Sequence, residues 1–160
     1  MVHLLLPAAG VGKRMGGDRN KLLMTLQDKP LFSWTLQAAA AADSVAWIGI
    51  MGQPLDFPDF EAILADLKLS KPVQLIRGGK TRQESVYNGL QALPPEATQV
   101  LIHDGARCLA TPALFNRCAA ALETCEGLIA AIPVKDTIKV VDEQGWVKET
   151  PERAKLWEIG

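Results

Sequence analysis

Five short apolar runs, separated by stretches of helical periodicity, constrain this chain more than any other feature. The runs are VHLLL (2–6), Val45 to Met51, PVQLI (72–76), QVLIH (99–103) and LIAAIPV (128–134). Between the first two, Pro30 stands where a helix starts, and Leu31, Trp34, Thr35 and Ala38 recur at helical spacing. A second helix is predicted in DFEAILADL after Pro58. A third opens on the Thr81-x-x-Glu84 capping box, with Val86, Leu90 and Leu93 on one face. A fourth begins at Thr111-Pro112 and runs to about Glu123. Strands that alternate with helices are joined by crossovers, so the sheet is parallel and both its faces need cover. The expectation is a three-layer α/β domain over residues 1–160, with no internal repeat and no low-complexity linker.

One segment departs from this rhythm. DTIKVVDEQGWVKET (136–150) holds two short β-like runs around Asp142-Glu143-Gln144-Gly145 and reads as a hairpin with a polar turn. An isolated hairpin is only marginally stable, so this one is expected to pack on something else, such as a second subunit. The chain ends at LWEIG without a closing element, and the fold is expected to continue past Gly160.

Length and charge bound the function. A chain of 160 residues buries a substantial core. Its formal net charge of -1 argues against a large phosphate-neutralising surface for nucleic acid, but leaves room for a local basic pocket. Three cysteines without C-x-x-C spacing read as buried thiols in a reducing compartment, not as a metal site. The start lacks a basic n-region and is no signal peptide, and no apolar stretch reaches membrane-spanning length. The expected location is the cytoplasm, or the plastid stroma where a transit peptide has been removed.

In an open α/β sheet, ligands bind beyond the carboxyl ends of the strands. The loops there are Pro7 to Lys21, RGGKTR (77–82), DGAR (104–107) and PVKDT (133–137), and they gather many of the chain's Gly, Arg, Lys and Asp residues. The first is not a dinucleotide fingerprint. Gly10-Val11-Gly12-Lys13-Arg14 is followed by Met15, the third glycine is displaced to Gly16, and no ribose-binding acid ends the second strand. Its cations, Lys13, Arg14, Arg19 and Lys21, suit a triphosphate better. GGKT (78–81) ends like a P-loop, but Gln74 stands where the leading glycine is required. Asp104 is expected to follow a buried strand directly, where a carboxylate can hold Mg²⁺ beside substrate phosphates; an ordinary surface ion pair with Arg107 is the alternative. His3 and His103 read as structural, and the four tryptophans as packing residues.

PAAGVGKRMGGDRNK, GGKTRQESVYNGL, HDGAR and PVKDTIK, in this order, resemble the cytidylyltransferases of the non-mevalonate isoprenoid pathway. The resemblance covers nearly the whole chain. It implies a Rossmann-like nucleotidyltransferase domain with a protruding hairpin arm, about 136–152. It also implies transfer of a cytidylyl group from CTP to methylerythritol 4-phosphate with release of pyrophosphate. Carried over, Arg14 and Lys21 are the catalytic cations. The backbone around Ala8, Ala9, Gly10 and Gly12 meets the nucleotide, Gly79 and Ser85 recognise cytosine, and Asp104 lies near ribose and Mg²⁺. Arg107, Thr137 and Arg153 hold the methylerythritol phosphate, with the arm exchanged in a homodimer so that Thr137 and Arg153 serve the neighbour. Cys108 stands where the family usually has proline, and Lys80 where it is often acidic or polar. The rival readings are cytidylyl transfer to ribitol 5-phosphate, a dinucleotide-binding module, and an inactive dimer-forming fragment.

Overall fold

The computed structural model describes residues 1–10 and 20–159. Along the chain come β1 (Val2–Pro7), the short strands β2 (Thr25–Leu26) and β3 (Lys29–Pro30), α1 (Leu31–Ala40), β4 (Val45–Gly52), α2 (Phe57–Leu67), β5 (Val73–Arg77), α3 (Arg82–Gln91), β6 (Val100–Ile102) and α4 (Pro112–Ala121). They are followed by β7 (Ile132–Pro133), β8 (Val140–Val141), β9 (Val147–Glu149) and β10 (Trp157–Glu158). Chain contacts divide into two compact units, Met1–Thr124 and Cys125–Gly160.

The first unit is built on a parallel sheet in the order β5-β4-β1-β6. β1 and β4 are buried almost throughout, as their unbroken apolar runs require of central strands. A register shift between Val2 and His3 lets Val45 and Ile48 share a face although they are three positions apart. On that face Leu4, Leu6 and Ile50 pack with Phe32 and Leu36 of α1, Phe60 of α2 and Phe115 of α4. Phe32 and Phe60 meet with ring centroids 5.3 Å apart, and burying each such ring contributes about 1.5–3 kcal/mol. The opposite face carries Leu5, Trp47, Met51 and Ile76, with Ala92 and Leu93 just after α3. The predicted three layers are therefore present, with α3 alone on one side and the other three helices opposite.

Two sequence expectations are corrected. LIAAIPV does not add a fifth strand to the parallel sheet: only Ile132–Pro133 is extended, and it pairs antiparallel with Trp157–Glu158. An apolar run specifies that a strand wants cover, not which partner it takes, and here Ile129 and Ile132 stay exposed. Nor is β6 a buried strand. It is a three-residue edge, and Ile102 is exposed.

The second unit contains the predicted hairpin, β8 against β9. Its turn is organised by Asp142, whose Oδ1 accepts from the Gln144 and Trp146 N–H groups. Gly145 takes φ +86, which only glycine adopts freely. Of the cysteines, Cys108 and Cys118 are half-buried but Cys125 is exposed, so burial of all three does not hold.

Candidate active site

A cavity of about 580 Å³ opens at the carboxyl edge of the parallel sheet. Four segments line it: Pro7 to Gly10 with Asn20 to Leu22, Gln53 after β4, Gly79 to Arg82 with Ser85, and Asp104 to Arg107 after β6. The structure thus brings together Ala8, Ala9, Gly10, Lys21, Gly79, Ser85, Asp104 and Arg107, which the sequence had distributed over three loop regions; none of PVKDT (133–137) lines this cavity. Gly12 and Arg14 lie outside the described residues. Thr137 and Arg153 belong to the second unit. There Thr137 is exposed, and Arg153 donates through Nη1 to the Lys135 carbonyl at 2.7 Å.

The glycine loop is held from both sides. Gly78 N–H donates to the Gly52 carbonyl at 2.7 Å, tying the loop to the end of β4. A Cβ on Gly78 would lie 2.6 Å from the Ala9 Cβ, so the first and third loops touch only because this residue has no side chain. Thr81 caps α3 through its Oγ1, which accepts from the Glu84 N–H. The returning Glu84 Oε2 accepts from the Lys80 N–H at 2.8 Å, one residue earlier than a standard capping box. The buried Ser85 hydroxyl donates to the Thr81 carbonyl and accepts from the Gly79 N–H, both at 2.9 Å. A hydroxyl has one donor and two acceptor positions, so one lone pair remains.

Asp104 is the electrostatic centre. Oδ1 takes Arg82 Nη2 at 2.9 Å, and Oδ2 takes Arg107 at 3.3 Å. Partial burial pushes the carboxyl's pKa up, but the hydrogen bonds and charge of Arg82 and then Arg107 outweigh it and hold the group below its ordinary value. The carboxylate is thus ionised and shared between two cations. His103 supports the same turn, its Nε2 lying 3.3 Å from the Arg107 carbonyl and its ring edge-on to Phe115. Burial, opposed by that hydrogen bond, lowers its pKa. Behind the turn, Thr35 of α1 donates to the Gly105 carbonyl at 2.8 Å.

Sequence reasoning missed Arg82 and Asn20. An arginine in the first turn of a helix opposes the helix dipole, a local cost that signals an external partner, here Asp104. Asn20 left no such trace: only the fold reveals its partners.

The geometry matches a known family. A family model for 2-C-methyl-D-erythritol 4-phosphate cytidylyltransferase matches residues 2–160. The chain belongs to this family. A relative bearing that name in Nostoc punctiforme is 70% identical over 98% of this chain and 69% of its own length. Another in Microcystis aeruginosa is 66% identical over 98% and 69%. The crystal structure of 4-diphosphocytidyl-2C-methyl-D-erythritol synthase from Anaerococcus prevotii superposes with a TM-score of 0.87 at 28% identity, covering 99% of this chain and 68% of that one. The cytidylyltransferase relationship explains the first loop: it is neither a dinucleotide fingerprint nor a P-loop.

Proposed function

We propose that this protein transfers a cytidylyl group from CTP to 2-C-methyl-D-erythritol 4-phosphate and releases pyrophosphate. The carrying observation is a strand-end cavity, lined by Lys21, Arg82 and Arg107 against glycine-rich backbone, in a chain of this family. The acceptor's phosphate oxygen attacks the α-phosphorus in line, a P–O bond forms, and the bond to the pyrophosphate oxygen breaks. No protein nucleophile is needed, so the residues work by positioning and by stabilising charge.

Lys21, with Arg14, meets the triphosphate as charge grows on the α-phosphate and the leaving group. Ala8, Ala9 and Gly10 offer close backbone approach. The remaining Ser85 lone pair matches the amino donor of cytosine, and the Gly79 backbone flanks the base. Arg107 holds the methylerythritol phosphate, and Thr137 and Arg153 serve the site of the neighbour in the homodimer.

Among the described residues no cluster of three metal-binding side chains occurs. Asp104 is the one carboxylate among the described residues lining the cavity, a donor set that suits Mg²⁺ completed by substrate phosphates. Bound there, Mg²⁺ would neutralise phosphate charge. The protein's own part is to keep Asp104 ionised through Arg82 and Arg107.

Exposed Val140, Val141, Trp146 and Val147 on the hairpin support a homodimer in which the arm is covered by a neighbour. The proposed location is the cytoplasm or the plastid stroma; no described helix is long and apolar enough to cross a membrane. Pyrophosphate release should require both CTP and the methylerythritol phosphate. In Lys21→Ala, kcat should fall by about a hundredfold, on the order of 3 kcal/mol. Undiminished turnover in Lys21→Ala contradicts this reading.

A further inference from the structure

Asn20 is 4% exposed, and its amide is fully engaged. Oδ1 accepts from the Leu22 N–H at 3.1 Å, which caps the short turn Lys21–Leu23. Nδ2 has two hydrogens, and both are used. One goes to the Ala8 carbonyl at 2.8 Å and the other to Asp56 Oδ2 at 2.8 Å. Capping a turn needs only an acceptor oxygen, which aspartate or serine supplies as well. The two donors serve a different purpose: they bind segments far away in sequence. One lies at the end of β1, 12 positions earlier, and the other in the Pro54–Asp56 turn, 36 positions later.

The residues joined are neighbours of the site. Ala8 belongs to the backbone that lines the cavity, and Lys21 is the residue after Asn20. We propose that Asn20 is a positioning residue that fixes Lys21 relative to the Ala8–Gly10 backbone, so that cation and backbone meet the same triphosphate. The Ala8 bond carries this role, and the Asp56 bond only steadies the amide. The proposal rests on the reading of the cavity as the CTP site. An amide is required because a carboxylate at position 20 has no donor and would face both the Ala8 carbonyl and the Asp56 carboxylate.

The test measures kcat, KM for each substrate and Tm for Asn20→Ala, Asp56→Ala and the exchange variant Asn20→Asp with Asp56→Asn, beside Lys21→Ala. The exchange restores a hydrogen bond between positions 20 and 56 with donor and acceptor reversed, and leaves the Ala8 carbonyl without its donor. Asn20→Ala should lower kcat at least about tenfold, since small displacements of positioned groups cost that much or more. Its KM for the methylerythritol phosphate should change little. Asp56→Ala should lower Tm yet keep kcat within about threefold, and the exchange variant should recover Tm but not kcat. Two results overturn the proposal: kcat recovering with Tm in the exchange variant, or Asn20→Ala retaining as much kcat as Asp56→Ala. If Lys21→Ala is crippled while the Asn20 variants are not, only the positioning role fails. If the unaltered protein does not turn over CTP, the function itself fails.

Discussion

Asp104 shows how far a single residue can be read. Its place after an apolar run marked it as a cavity carboxylate, and the ion pair with Arg107, weighed only as the alternative, is present at 3.3 Å. Its second cation, Arg82, lies 22 positions away and becomes a neighbour only when β5 and β6 lie in one sheet. Because the two arginines depress its pKa, Asp104 adds stability above the ordinary aspartate range and loses it as pH falls through the depressed value, below about pH 4. In Arg82→Met the folded-state pKa returns toward the ordinary value, so the fall of Tm below about pH 4 should be shallower; an unchanged acid limb contradicts the pairing. His103 has the opposite chemistry. Burial keeps it neutral in the fold, so its contribution is complete above the ordinary histidine pKa of about 6.5 and declines as pH falls below it. His103→Gln should flatten the fall of Tm below about pH 6.5, and a slope equal to the parent's would argue against a buried neutral ring.

At the scale of elements, the strongly patterned pieces were legible. β1, β4 and β5, the Thr81 cap and the Asp142–Gly145 turn follow from apolar runs, a hydroxyl at a helix start and a glycine where φ is positive. LIAAIPV was not legible, because its pairing partner lies near Trp157 and no local rule selects it. Contact between loops was equally hidden, since the Gly78 approach to Ala9 depends on how β1, β4 and β5 align. Gly78→Ala should therefore push the first and third loops apart. The expected cost is about 1–3 kcal/mol of stability, with a rise in KM for CTP; chemical denaturation and steady-state kinetics check both. Gly127, which has open space around the missing side chain, is the control: Gly127→Ala should move neither.

At the scale of the whole molecule, composition restricted the classes and the four ordered loops identified the family, but neither located the hairpin's partner. The exposed apolar side chains of β8 and β9 are the physical reason to expect one. Sedimentation should give a dimer, and replacing Val141 and Trp146 with lysine should shift it to monomer. The account's central claim is the chemistry at the cavity. Phosphorus NMR of the protein with CTP, Mg²⁺ and either methylerythritol 4-phosphate or ribitol 5-phosphate tests it most directly. With methylerythritol phosphate, the phosphomonoester signal should give way to a coupled diphosphate pair as pyrophosphate appears in equal amount, and ribitol phosphate should remain unchanged. Conversion of ribitol phosphate in preference, or a persistent methylerythritol phosphomonoester signal while CTP is intact, would contradict it.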